Sequence, residues 1–151
     1  MGIAIEAWIE YDDNALFDPE RAAEPPFSQN VDGSIPLDYF TEFCGTKNDR
    51  FLAAISGARR RESDTDPLFP MRGCLPPNVT LHTKRQVSEM TGEGDPLLSW
   101  LTYPEVERAL SHIGVQREEM DISTNLVLDF MQCIERRLGT GHPRLIFYTQ
   151  F

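Results

Sequence analysis

The segment FPMRGCLPPNV, residues 69–79, holds the residue types in this chain that are best suited to chemistry. Cys74 is a potential nucleophile, and the neighbouring Arg72 would favour its reactive thiolate form. His82 or His112 would then serve as the general base of a nucleophilic pair. No local signature of a cysteine enzyme accompanies these residues, so an enzyme that uses the Arg72 and Cys74 loop is an alternative hypothesis.

Arg72 stands on a corner of the chain that its neighbours make rigid. Pro70, Pro76 and Pro77 restrict the backbone, and Gly73 permits a turn with positive φ. From such a corner the guanidinium can bridge carbonyls or carboxylates of neighbouring elements, or it can bind an anionic ligand. We favour the structural role, because an acidic chain offers many internal carboxylates to an arginine.

Carboxylates are the second group of chemical candidates, and three residues near the start form a row. Glu6, Trp8 and Glu10 alternate with apolar residues, so they share one face of a strand. The two carboxylates then stand about 13 Å apart, which is too far for an acid and base pair acting on one bond. As a surface, two negative charges beside an indole suit an arginine or lysine of a partner. The alternative is a tryptophan packed under a helix, with solvated glutamates at its sides.

Metal and cofactor sites are not predicted. His82, His112 and His142 each stand alone, without the HxxxH or HExxH spacing of a metal site. The phosphate-binding and nucleophile-elbow motifs are missing as well. The three cysteines are Cys44, Cys74 and Cys133, an odd and widely spaced set that predicts neither disulfides nor a thiolate metal site. We therefore predict a protein of the reducing cytoplasm without a catalytic residue or a cofactor.

The elements that position these residues are strands at both ends and helices between them. Residues 3–9 alternate strictly, and PRLIFYTQF, residues 143–151, is β-branched and aromatic, so we expect the two to pair in one small, mostly antiparallel sheet. LLSWL, residues 97–101, is also typical of a strand. Helical spacing is found in 36–57, with a break at Gly45 and a new start at Asn48, and in 79–90, 102–113 and 121–138. The sequence thus predicts one α+β domain, residues 1–151, with about four helices.

Local residues predict how several of these helices begin, end and face the core. Thr102 and Glu105 form a capping box, Asn48 is a cap, and either Asp121 or Ser123 caps the last helix. In that last helix, apolar residues recur every four positions, which predicts a buried stripe. The stripe consists of Leu126, Phe130, Ile134 and Leu138.

The charge of −10 is unevenly distributed along the 151 residues. Residues 1–58 hold eleven Asp and Glu against three Lys and Arg, whereas residues 59–151 hold thirteen against eleven. Such an acidic excess repels nucleic-acid phosphates and favours a basic surface of another protein. The alternative is that the charge only keeps the protein dispersed. No apolar run approaches the roughly 20 residues that span a bilayer, so we predict no membrane partner.

The predicted contacts with a partner lie in this acidic N-terminal part and in the long connection formed by residues 59–78. The run Arg59, Arg60 and Arg61 is followed by acids, so we expect local ion pairs there instead of a nucleic-acid site. The predicted partner contacts are Glu6, Trp8, Glu10, Asp12, Asp13, Asp64 and Asp66.

Five motifs together resemble a family of small bacterial and phage or prophage proteins. They are MGIAIEAWIEY, NDRFLAAISGARR, PLFPMRGCLPPNV, SWLTYPEVERAL and RLIFYTQF, in this order along nearly the whole chain. The corresponding family patterns are MGxxIxxxVE, RNYxLFAxLxxVRN, a Pro-Arg-Gly-Leu-Pro loop, SWLTLxEL and RIxFxFD. This chain departs from them at 48–51, at the inserted Cys74 and in its final two residues.

The resemblance implies an accessory protein of a phage or mobile element. Such proteins often bind and block a host factor, and small acidic ones often cover a basic nucleic-acid-binding surface. The sequence-based hypothesis is therefore a non-enzymatic inhibitor of a host nucleic-acid-binding defence complex of the CRISPR type, without direct binding of nucleic acid. An immunity protein that neutralises a toxin is a further alternative, because it would rely on the same electrostatics.

Overall fold

A computed structural model describes residues 4–11, 34–36, 49–77, 79–92, 94–139 and 143–150. Its four strands form one antiparallel sheet in the order β2-β1-β4-β3. The strands are β1 Ala4–Glu10, β2 Ser34–Pro36, β3 Leu98–Thr102 and β4 Arg144–Gln150. Strands β1 and β4 pair along their full length, with Ala4 opposite Gln150 and Glu10 opposite Arg144. The predicted pairing of the two terminal strands is confirmed.

Four α-helices lie within the described ranges, which confirms the α+β class. They are α1 Asp49–Ser56, α2 Leu81–Met90, α3 Tyr103–His112 and α4 Ile122–Leu138, and a 3₁₀ turn spans Arg117–Glu119. The predicted capping box at Thr102 and Glu105 is present, and Asp121 caps α4. The helical spacing predicted for 36–44 and the cap at Asn48 lie outside the described residues. None of the helices seen in these ranges is long and apolar enough to cross a membrane.

The sheet separates two apolar layers of unequal size. On one face, Ile9, Leu145 and Leu101 stand side by side in the pairing register and pack with α1, α3 and α4. On the other face, Trp8 and Ile146 pack under α2 and the residues that precede it. Because both faces are covered, β4 carries a continuous apolar run instead of an alternating one.

Helix α4 buries only part of the predicted stripe, in which Ile134 is 2% exposed. Leu126 is 57% exposed and Ile122 is 79% exposed, so the prediction that Leu126 faces the core is wrong. Phe130 and Leu138 are only partly buried. A repeat of four residues advances by 400°, so it drifts around a helix that turns every 3.6 residues. The side chains that face the core follow the helical spacing i, i+3, i+4, i+7 and i+10 instead, as Thr124, Val127, Leu128, Met131 and Ile134.

Candidate functional site

The Arg72 corner covers the open edge of β3. Gly73 N donates to Leu98 O at 2.8 Å, and Arg72 N donates to Ser99 Oγ at 3.0 Å. Gly73 has φ of 67°, a conformation that glycine adopts without the penalty of a Cβ atom. Gly94 N donates in turn to Gly73 O at 2.7 Å. The corner is therefore held by backbone bonds on both of its sides.

The guanidinium of Arg72 is engaged by the elements around it. Nη1 donates to Trp100 O at 2.8 Å and to Glu105 Oε1 at 3.3 Å, and Nη2 donates to Glu105 Oε2. The guanidinium carbon also lies 4.1 Å from the centre of the Trp100 ring. This geometry confirms the predicted structural role, because the arginine joins the corner to β3 and to the first turn of α3. It does not favour the alternative in which Arg72 binds an anionic ligand.

Glu105 couples this corner to the start of α3. Its Oε1 accepts the Thr102 backbone N–H at 3.0 Å, which completes the capping box. Burial opposes ionisation of Glu105, but the bonds from Arg72 and Thr102 outweigh it, so the pKa of this carboxyl lies below its usual value. The carboxylate thus stabilises a helix end and the corner at once.

Replacing Arg72 by lysine is expected to lower the free energy of unfolding by about 2 kcal/mol, because hydrogen bonds to charged groups contribute on this scale. Lysine keeps the charge, but it cannot form the two-pronged bond to Glu105 or stack as a plane on Trp100. Urea unfolding at neutral pH measures the change. Arg85→Lys on the exposed side of α2 is the matched control and should be neutral. Equal stability of the two variants would contradict the structural role.

Cys74 and His112 do not form the alternative catalytic pair. Cys74 is exposed beside the corner, which contacts the first turn of α3. His112 lies in the last turn, about 10 Å further along the helix axis, and its Nε2 is 3.0 Å from Asp66 O. Proton transfer requires contact within roughly 3 Å or through one water. The side chain of His82 and all of His142 lie outside the described residues.

The face of β1 that carries the predicted partner contacts is mostly covered. Trp8 is only 3% exposed, and its Nε1 donates to Gln86 Oε1 on α2. Glu10 is fully buried. The prediction that Trp8 and Glu10 contact a partner is therefore wrong, because α2 and the residues before it pack on this face. Glu6, on the same face, is exposed.

Glu10 is the centre of a buried polar network that was not predicted. Its Oε1 accepts Arg144 Nη2 at 3.0 Å, and its Oε2 accepts Thr80 N at 2.9 Å and Thr80 Oγ1 at 2.6 Å. Arg144 also donates to Pro77 O. Burial lowers the pKa of Arg144, although the charge of Glu10 opposes that shift. The network joins β1 and β4 to the N-terminal cap of α2. The predicted pairing of the two terminal strands was the one feature of the sequence that could have indicated that Glu10 and Arg144 lie close together.

The acids of the 59–78 connection have different surroundings. Arg50 Nη1 donates to Asp64 Oδ2 at 2.7 Å, and Arg50 Nη2 donates to Asp64 Oδ1 at 3.1 Å. Both side chains are less than a tenth exposed. Arg50 and the backbone N–H of Arg61 hold the pKa of Asp64 below its usual value. Asp64 is thus a structural ion-pair partner, and its predicted role as a partner contact is wrong. Asp66 pairs with Arg60 and has a side chain that is 89% exposed, so it is accessible.

Asp12 and Asp13, the two remaining predicted contacts, lie outside the described residues. Within the described ranges, no group of three or more His, Cys, Asp or Glu side chains could hold a metal ion.

These features define an α+β protein in which one antiparallel sheet lies between two helical layers and buried ion pairs join the elements. No protein-family model, curated protein or solved structure matches this chain. The resemblance to small phage and prophage proteins therefore stays a prediction that its five motifs carry.

Proposed function

We propose that this is a non-enzymatic interaction protein that binds the basic surface of a partner through its two acidic connecting segments. The observation that supports this proposal is the division of charge between the described residues and the segments 12–33 and 37–48. The described residues hold fifteen Asp and Glu against twelve Lys and Arg, a balance of −3. The two segments hold eight against two, a balance of −6.

The described residues also neutralise much of their own charge. Three carboxylates are engaged by arginines, in the pairs of Glu10 with Arg144, Asp64 with Arg50 and Glu105 with Arg72. The acidic excess thus belongs chiefly to the stretch of chain that joins β1 to α1 and contains the edge strand β2. Charge of one sign concentrated in this way accelerates association with a surface of the opposite sign.

The partner that we propose is a nucleic-acid-binding defence complex in the host cytoplasm, of the CRISPR type. Negative potential suits such a partner, because the surface that binds phosphates is positively charged. The motif resemblance supports the phage or mobile-element context. An immunity protein would apply the same physics to a toxin, and the neighbouring genes separate these two partners.

A matched pair of charge variants tests the proposal. The first replaces four acids in the segment 12–20 with amides, and the second replaces four exposed acids of the described residues. The first set is Asp12, Asp13, Asp18 and Glu20, and the control set is Glu62, Glu89, Glu118 and Asp129. Each full-length variant is immobilised, exposed to a lysate of the host and then washed with duplex DNA as competitor.

We expect the captured protein to bind nucleic acid and to be released by the duplex DNA. Its association rate with the first variant should fall at least about tenfold at low salt, because charge steering of association is of this size. The control variant, which removes the same number of charges, should change the rate by less than about threefold. Equal rates for both variants, or capture that DNA does not displace, would overturn the proposal.

A further inference from the structure

We propose that the cleft between α2 and β3 binds a small apolar carboxylate, independently of the acidic segments. The cleft has a volume of about 200 Å³. Leu75, Val87 and Leu98 form its apolar surface, and Lys84 is the charged residue that lines it. An apolar surface with one cation matches a ligand that has a hydrocarbon body and a negatively charged end.

The sequence of α2 builds one side of this cleft. Lys84, Val87, Ser88 and Thr91 follow the spacing i, i+3, i+4 and i+7, so they lie on one face of the helix. Val87 is 2% exposed and packs in the cluster beneath the helix, whereas Lys84 and Ser88 are exposed. The helix therefore presents an apolar floor and a polar rim to the same space.

The opposite side comes from the Arg72 corner and β3. Leu75 follows the corner directly, and Leu98 belongs to the strand to which the corner is bonded. The bond from Gly94 N to Gly73 O joins this corner to the connection that leaves α2. Both sides of the cleft are thus held by backbone bonds, so the apolar space is formed before a ligand arrives.

The other polar groups of the cleft are satisfied within the protein, whereas Lys84 forms no ion pair with another described residue. Ser88 Oγ donates to Arg85 O at 2.8 Å, and Thr91 Oγ1 donates to Asp95. The Asp95 carboxylate also accepts the Leu97 backbone N–H at 2.9 Å. None of the ion pairs between described residues includes Lys84. The ammonium group is therefore available to a ligand carboxylate.

The volume indicates the size of the ligand. A cavity of about 150 Å³ lined by apolar side chains holds benzene. A cleft of about 200 Å³ therefore fits about eight non-hydrogen atoms. Octanoate has eight carbon atoms, and its two carboxylate oxygens would lie at the rim near Lys84. Each methylene that leaves water on binding contributes favourably. Lysine can extend its own methylenes along the apolar surface and keep its charge at the rim.

Titration of the full-length protein with octanoate, followed by NMR, tests the proposal. We expect saturable shifts of the Leu75, Val87 and Leu98 methyl signals below about 10 mM, the range of weak but specific binding. Octan-1-ol, the neutral analogue, should bind about fivefold more weakly, and Lys84→Met should weaken octanoate binding by a similar factor. Arg85→Met, at the next residue outside the cleft, is the control and should leave the affinity unchanged.

A blocking variant provides a second readout. A Cβ atom added at Gly92, which lines the cleft, would meet no atom within 4 Å, so the backbone there accepts a side chain. The melting temperature of Gly92→Leu checks that this variant is folded. Octanoate binding should be lost in this variant. The proposal is overturned by an absence of saturable shifts, by equal affinities for octanoate and octan-1-ol, by equal effects of Lys84→Met and Arg85→Met, or by normal binding to Gly92→Leu.

Discussion

Replacing Glu10 by alanine is expected to lower the free energy of unfolding by about 3–5 kcal/mol, the range measured when one partner of a buried ion pair is removed. The loss arises because Arg144, with a side chain only 8% exposed, keeps its charge without the nearby carboxylate. Thr80 also loses the acceptor of its backbone N–H. Urea denaturation at neutral pH, followed by circular dichroism, measures the change.

Glu6→Ala is the matched control, because Glu6 lies two residues earlier on the same strand face and is exposed. Its effect should stay within about 0.5 kcal/mol. The double variant Glu10→Leu with Arg144→Met should recover part of the stability, since it leaves no unpaired charge in the interior. A Glu10→Ala protein that is fully stable, but that binds its partner more weakly, would show that the glutamate is a contact residue after all.

Trp8→Ala is the other substitution with a large expected effect, a loss of about 3–5 kcal/mol. The indole is 3% exposed, packs with Val87 and Ile146 in the layer under α2, and donates to Gln86. Its removal leaves a cavity and an unsatisfied acceptor in the layer under α2. In a chain of this length the midpoint of thermal unfolding should fall by about 10 °C.

Trp100→Ala provides the comparison, because Trp100 lies on the same sheet face but is only partly buried. The Trp100→Ala variant should lose less stability than Trp8→Ala, and its loss should come chiefly from the missing contact between Trp100 and Arg72. If Trp100→Ala is the more damaging of the two, the assignment of Trp8 as the anchor of this layer is wrong. Melting curves of both variants, recorded at the same protein concentration, compare the two losses of stability.

Local patterns predicted most of the secondary structure, because caps and periodicity depend on residues close together in the chain. Thr102 and Glu105 are three residues apart, and both atoms of the capping box come from that short segment. Gly57, with φ of 75°, ends α1 where a left-handed residue is needed. Alternation in the first segment and the β-branched, aromatic composition of the last one predicted strands at both ends. The helical patterns between them led us to expect that the two strands pair.

The candidate site was less predictable, because exposure is not a local property. Alternation shows that Glu6, Trp8 and Glu10 share a face, but it cannot show that α2, some seventy residues later, covers two of the three. The wrong prediction that Asp64 contacts a partner also arose because burial cannot be read from nearby residues. Its arginine is Arg50, in α1, and only the folded chain brings the two together.

By itself, the sequence determined the class of fold, the ends of several helices and the antiparallel pairing of the terminal strands. These features depend on backbone geometry and on residue spacing, which are present in the chain before it folds. The tertiary structure alone decided which carboxylates are buried in ion pairs, which stripe of α4 faces the core and where a cleft stays open. Each of these depends on contacts between residues distant in sequence, because burial is set by the element that packs on a surface and not by the surface itself.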